Sequence, residues 1–153
     1  MSRLRFSLLF VAAVLLYACG TTNSSGMYDP NAPVTAITIT TSGSVDPAAR
    51  SIALPPGTDE LVTALQAAFT SAGWTTSTST TTTRYLVQLE TKIWTDTQKL
   101  SAINLVIIDE HTGAKILTGV RSTYASSDPP IDVKAVADMV VSALKGITAS
   151  PPQ

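Results

Sequence analysis

The chain has 153 residues, of which 10 are basic and 11 acidic, a formal net charge of −1 and a single cysteine. This length suits one domain with its own hydrophobic core and is too short for two domains of usual size. The charge argues against nucleic acid binding, which needs a concentrated basic surface to neutralise phosphates. One cysteine excludes an internal disulfide.

The first 18 residues have the pattern of a secretion signal. Arg3 and Arg5 give a cationic start, and an apolar run over residues 6–16 follows. A membrane-spanning helix needs about 20 apolar residues, and this run stops short of that length. The pattern therefore predicts a signal peptide over residues 1–18.

The segment ends at Leu16, Tyr17, Ala18 and Cys19, which are a branched apolar residue, a tolerant position, a small residue and a cysteine. This sequence resembles the lipobox of bacterial lipoproteins. The resemblance implies cleavage between Ala18 and Cys19, a diacylglyceryl group on the Cys19 thiol, and usually an acyl chain such as palmitate on the new amino group. Two or three acyl chains hold a protein firmly on a membrane.

Gly20 bears on which membrane carries the protein. In enteric bacteria an aspartate directly after the lipidated cysteine retains a lipoprotein in the inner membrane, and this chain has Gly20 there. The resemblance thus implies the periplasmic leaflet of the outer membrane, with the cell membrane as the alternative if this sorting inference fails.

Cleavage would also change the composition. Losing Arg3 and Arg5 takes the formal net charge from −1 to −3. With Cys19 lipidated, the mature chain has no thiol nucleophile and no thiolate metal site. Residues 19–33 are polar and predict a flexible tether, residues 34–147 predict the folded domain, and residues 148–153 predict a disordered tail.

The first half of the domain predicts two extended segments and a helix. Residues 34–41 are β-branched and suit a strand, and residues 51–54 suit a short extended piece. Thr58 can cap a helix in which Leu61, Leu65 and Phe69 recur at helical spacing, and Gly73 stands where its C-terminal cap belongs.

The second half predicts three strands and a second helix. The tract 75–83, rich in Ser and Thr, is interpreted as a loop leading into an edge strand, and a glycosylated or disordered loop is the alternative. A strict alternation from Arg84 predicts a half-buried strand. Trp74 and Tyr85 are expected in the core, and the alternative for Trp74 is a surface that faces a partner.

The chain continues with an apolar strand over residues 100–108, a turn over residues 109–113 and a partner strand over residues 114–124. Asp128 and Pro129 are expected to open the last helix. The fold class predicted is α+β, a small antiparallel sheet (a meander) with two helices packed on one face.

This order of elements resembles a loose group of small envelope lipoproteins. The group includes the lipopolysaccharide-assembly lipoprotein, auxiliary lipoproteins of lipid transporters, conjugation-system lipoproteins, and lipoproteins related to the curli secretion and penicillin-binding-protein activator families. The parts that match are the helix 61–65 ending at Gly73 and Trp74, the strand start 83–87, and the hairpin 104–113. These are ordinary parts of such a fold, so no family's functional residues are carried over.

The sequence offers little for catalysis. His111 is the sole histidine and lies in a predicted turn beside Asp109 and Glu110, where sequential residues rarely converge on one metal ion. The other acidic residues are scattered over polar faces. We therefore predict no enzyme, no catalytic residues, no metal and no cofactor.

Two functions remain open. The first is a non-catalytic accessory or assembly module of an envelope complex for transport, secretion or surface assembly, with a protein partner. The second is a lipid- or glycan-binding lipoprotein. A closed apolar pocket would favour the second, and a flat or grooved apolar sheet face would favour the first.

A partner surface is predicted on the strand that begins at Arg84. Its face opposite the core is polar except at Leu86 and Trp94, and Leu117 of a later strand is expected to join them. A contiguous apolar patch on a polar face usually marks a binding site. The alternative is that the N-terminal segment 34–39 covers this face.

Overall fold

The structure, a computed structural model, describes residues 37–123 and 125–148, which form a mixed six-stranded sheet and two helices. The strands are β1 Thr38–Thr41, β2 Ser51–Ala53, β3 Thr75–Ser77, β4 Tyr85–Ile93, β5 Leu100–Asp109 and β6 Ala114–Ser122. The helices are α1 Glu60–Ser71 and α2 Val133–Gly146. The order of strands across the sheet is β1-β6-β5-β4-β2-β3. The predicted α+β class is confirmed.

The sheet is only partly antiparallel. β4, β5, β6 and β1 pair antiparallel in turn, as predicted, but β2 lies parallel to both β4 and β3. α1 connects β2 to β3, and a crossover helix returns the chain in the same direction, so these two strands are parallel. The edge strand in the tract 75–83 is β3, which lies at the start of the tract, and the loop follows it. This order is the reverse of the predicted one, a loop followed by an edge strand.

The two helix starts lie later than predicted. α1 is capped by Asp59 in place of Thr58, and the Asp59 carboxylate accepts a hydrogen bond of 2.8 Å from the Leu61 amide. α2 starts at Val133 in place of Asp128, and the Asp132 carboxylate accepts from the Ala135 amide. Two prolines separate Asp128 from the helix, and a residue before proline is disfavoured in helical conformation.

The residues that directly follow each helix form backbone hydrogen bonds or a strand-like bridge. Gly73 follows α1 with a φ of 80°, and the Trp74 amide donates to the Phe69 carbonyl, which confirms the predicted glycine cap. After α2, Thr148 forms a bridge with Val45. The predicted tail therefore has an ordered first residue, and residues 149–153 lie outside the described part of the chain.

The hydrophobic core lies between one face of the sheet and both helices. Its fully buried members include Leu61, Leu65, Phe69, Ile103, Leu105, Ile107, Val136, Val140 and Leu144. Trp74 packs edge-on against Phe69 and Tyr85, with ring centroids 5.4 and 5.6 Å apart. The Tyr85 hydroxyl accepts a hydrogen bond of 2.8 Å from the Asp46 amide. Both aromatic residues are thus in the core, as predicted.

Candidate functional site

The face of the sheet opposite the helices is the candidate site. Strand register places Gln88, Val106, Thr118 and Thr40 side by side on it, in neighbouring strands. We call this face the open face. In the described part of the chain, both helices pack on the other face.

Four apolar side chains form a band across the open face. Leu86 lies opposite Ile108, and Val106 is two residues from Ile108 on the same side of β5. Val120 is diagonal to Val106 in the next strand and is 50% exposed. Because diagonal neighbours on one face lie within reach of each other, these four residues form a continuous surface, the open-face patch.

Leu117 does not belong to this patch, which corrects the prediction. It is fully buried on the core face, opposite Ile107. The pairing of β5 with β6 shifts register between Ile107 and Ile108, so Ile116 is an extra residue in β6. A bulge of this kind exchanges the faces of all residues on one side of it. Sequence alternation across Ile116 and Leu117 therefore could not reveal Val120 as the exposed residue.

Trp94 lies just beyond the far end of β4 from Leu86. Eight residues of extended strand separate the two side chains by roughly 27 Å, so they are not one contiguous patch. Trp94 is half-buried, and its indole Nε1 donates a hydrogen bond of 2.9 Å to the Thr123 hydroxyl. Thr123 in turn donates to the Ser101 carbonyl. Trp94 therefore connects the end of β4 to the segment after β6 through a hydrogen bond, and its ring is only partly exposed.

The described start of the domain does not cross the open face. Residues 38–41 lie in the plane of the sheet as β1, paired with β6. The Ile37 side chain is fully buried and approaches Gly119 closely, since a Cβ built on Gly119 would lie 2.7 Å from Ile37 Cδ1. Residues 34–36, the rest of the proposed covering segment, lie outside the described residues.

A polar cluster occupies the hairpin between β5 and β6. The Asp109 carboxylate is nearly buried and accepts hydrogen bonds from Arg84 at 2.8 Å and from the His111 amide at 2.9 Å. Burial by itself raises the pKa of Asp109, but the hydrogen bond from Arg84 and the amides of His111 and Thr112 outweigh it, so the pKa lies below its usual value. Asp109 is therefore ionised and holds the turn.

His111 lies in the turn of the same hairpin. Gly113 has a φ of 70°, the left-handed conformation that glycine adopts without steric cost, and its amide donates to the Asp109 carbonyl. His111 is exposed in this turn, and its amide rather than its ring is used by Asp109. The hydrogen bonds of this cluster therefore stabilise the turn.

The helix side of the domain carries two shallow grooves that open to solvent. One runs between α1 and α2 and is lined mainly by small residues with Lys134, Asp138 and Lys145 at its rim. The other runs between β1 and α2 and is lined by Ile39, Thr41, Met139, Ser142, Ala143, Gly146 and Ile147. Both are clefts on the surface rather than enclosed cavities.

The predicted lipidation and cleavage residues, Cys19 and Ala18, lie outside the described residues. Within residues 37–123 and 125–148, neither helix has the length and apolar character needed to cross a bilayer.

Comparison with known proteins gives distant similarities only. No protein-family model matches the chain, and no curated protein matches it. A solved dodecamer of a PelC point variant from Paraburkholderia phytofirmans is 15% identical, with 71% of this chain and 96% of that chain covered and a TM-score of 0.42. Another PelC dodecamer from the same organism is 11% identical, with coverages of 74% and 98% and a TM-score of 0.42.

A PDZ domain protein from Parabacteroides distasonis is 10% identical to this chain, with a TM-score of 0.43. It matches over 69% of this chain, which spans 33% of its length.

Proposed function

We propose that the protein is a lipoprotein anchored in the periplasmic leaflet of the outer membrane and serves as a non-catalytic accessory or assembly module of an envelope complex. The observation that carries the proposal is the sequence Leu16, Tyr17, Ala18 and Cys19 at the end of a short cationic and apolar segment. Gly20 after the cysteine supports the outer membrane as its location.

The anchor is tested by changing Cys19. We expect Cys19→Ser to abolish labelling of the chain with radioactive palmitate and to leave the signal peptide uncut, because the thiol that takes up the diacylglyceryl group is gone. Labelling and electrophoretic size of the chain, expressed in a bacterial host, measure both effects. Tyr17→Phe, at the tolerant position, is the matched control and should be labelled and cut normally. Processing of Cys19→Ser to the normal mature size without lipid would contradict the anchor.

The open-face patch supports a protein partner. Leu86, Val106 and Ile108 are half-buried and Val120 is half-exposed, on a face whose other side chains are largely polar. Contiguous apolar surface on a polar face is typical of a docking site. The clefts described above are open to solvent, whereas a small ligand is usually bound in a concave pocket that buries most of its surface.

A tethered module of this kind does not need high intrinsic affinity. Holding a domain and its partner on one membrane surface raises their effective concentration, so weak binding suffices. The mature chain would therefore work by position, presenting the patch beside a larger envelope assembly.

The partner surface is tested by site-specific photo-crosslinking in cells. We expect a photoreactive residue at Val120 to give discrete adducts with an envelope protein, because this side chain is the most exposed of the patch. Thr63, exposed on α1 away from the sheet, is the matched control and should give none. The same adducts at both positions, or none at Val120, would show that the open face is not the partner surface. Adducts with lipid or glycan alone would favour the second function.

A further inference from the structure

β1 is an edge strand of the sheet in the described part of the chain. β1 pairs with β6 on one side, and within the described residues no strand pairs with its other side. Natural edge strands are usually protected by short length, charged residues, proline, a bulge or a covering loop, and of these β1 has the short length, with four residues. β1 consists of Thr38, Ile39, Thr40 and Thr41, all β-branched and uncharged, in regular register with β6. It therefore has the character of a strand that accepts a neighbour.

The hydrogen bonds that β1 offers outward can be assigned. The Ser42 amide donates to the Ile116 carbonyl at 3.1 Å, in continuous register with β1 and β6. Amides along a strand point alternately to the two sides, so Thr38 and Thr40 also face β6. The backbone groups of Ile39 and Thr41 consequently point away from the sheet, toward the free edge.

The groove beside this edge is uncharged in the part of the chain that the structure describes. The groove between β1 and α2 is lined by apolar, hydroxyl and glycine residues only. On α2, Met139, Ser142, Ala143 and Gly146 face this groove at the spacing of one helical stripe. A Cβ placed on Gly146 would meet no atom within 4 Å, so packing inside the chain does not require a glycine there.

These features favour an uncharged strand as the occupant of the edge. A charged peptide or an anionic surface finds no opposite charge among the described residues that line this groove. A second copy of the same edge meets no like charge and supplies a strand of high β propensity, an outward-facing pair of backbone groups and an equally apolar groove. A two-fold interface needs this kind of self-complementary surface.

We propose that two copies of the chain associate through antiparallel pairing of β1 with β1 of the second copy, which joins the two sheets into one. The stretch 38–42 is centred on Thr40, so the two-fold axis passes between the two Thr40 residues. Ile39 of each copy then exchanges backbone hydrogen bonds with Thr41 of the other. This register uses the outward-facing groups and leaves Thr40 opposite Thr40.

The two α2 helices come together in the same assembly. Each groove beside β1 opens toward the other, and the small side chains of Ser142, Ala143 and Gly146 allow close approach of a second helix. The pairing does not depend on the lipid anchor or on the open-face patch, so it can fail or hold separately from the proposed function.

Disulfide trapping in the full-length chain tests the register. Opposed residues in a non-hydrogen-bonded pair have Cα atoms about 4.5 Å apart, within the range of a disulfide. We expect Thr40→Cys to form a reducible dimer in bacterial envelopes under mild oxidation. The matched control is Thr38→Cys, an exposed threonine on the same strand and face. Its two copies would lie roughly 14 Å apart and should not crosslink.

The parent chain is run beside both variants because precursor with an unlipidated Cys19 would give a background dimer. A dimer with Thr40→Cys that is absent from Thr38→Cys and from the parent supports the pairing. No dimer with Thr40→Cys, or equal dimers with both variants, overturns it. Thr40→Lys gives a second readout without cysteine: two opposed ammonium groups should shift the detergent-extracted protein from dimer to monomer in sedimentation, while Thr38→Lys should not. A monomeric parent chain in this measurement would also overturn the proposal.

Discussion

Phe69→Ala should lower the free energy of unfolding by about 3–5 kcal/mol, the usual cost of emptying a fully buried aromatic site. Phe69 is 0% exposed, and Trp74 packs edge-on against its ring. Removing the ring also weakens the contact that holds Trp74 over Tyr85. Urea unfolding monitored by tryptophan fluorescence measures the change.

Two controls define what the Phe69 result means. Phe69→Leu keeps most of the volume and should cost clearly less. Thr70→Ala, at the neighbouring exposed position of α1, should leave stability nearly unchanged. A loss below about 1 kcal/mol for Phe69→Ala would contradict the central place of this ring in the core.

Asp109→Asn should destabilise the domain at neutral pH by on the order of 2 kcal/mol, since it weakens charge-assisted hydrogen bonds to a nearly buried group. The pKa of Asp109 is lowered in the folded state below the usual 3.8. Its contribution is therefore fully present above about pH 5 and is lost as pH falls through the folded pKa. Stability measured from pH 7 down to pH 3 should fall more for the parent than for Asp109→Asn.

The comparison ion pair for this experiment is Lys134 with Asp138 on α2. Its atoms are 2.7 Å apart, but both side chains are largely exposed. Solvent screens such a pair, so Asp138→Asn should change neither stability nor its pH dependence appreciably. Parallel acid profiles for the parent and Asp109→Asn would show that the Asp109 carboxylate does not hold the hairpin.

Local pattern was enough to predict much of this fold. Helical spacing from Leu61 to Phe69 and alternation from Tyr85 each depend on residues within one element, and both elements form as expected. The turn at Gly113 and the burial of Trp74 follow from equally local chemistry.

What could not be predicted depends on pairing between distant residues. The parallel neighbours of Ile52 are Tyr85 and Thr76, and no periodicity within residues 51–53 reveals them. The bulge at Ile116 is likewise a property of two strands together, and it misled the placement of Leu117. For the candidate site, Leu86 was placed on the correct face, whereas Val120 became visible only through the sheet register.

The pairing of β1 with β6 has a consequence for the order of assembly. Thr38 lies opposite Val120, so β1, near the start of the domain, pairs with a strand that is roughly 80 residues later in the chain. The hairpins that join β4, β5 and β6 close short loops and can form early, whereas contacts between distant residues carry a larger entropic cost and form slowly. Because synthesis proceeds from the N-terminus, β1 emerges first, and we expect it to join the sheet among the last strands, with both of its edges open until then.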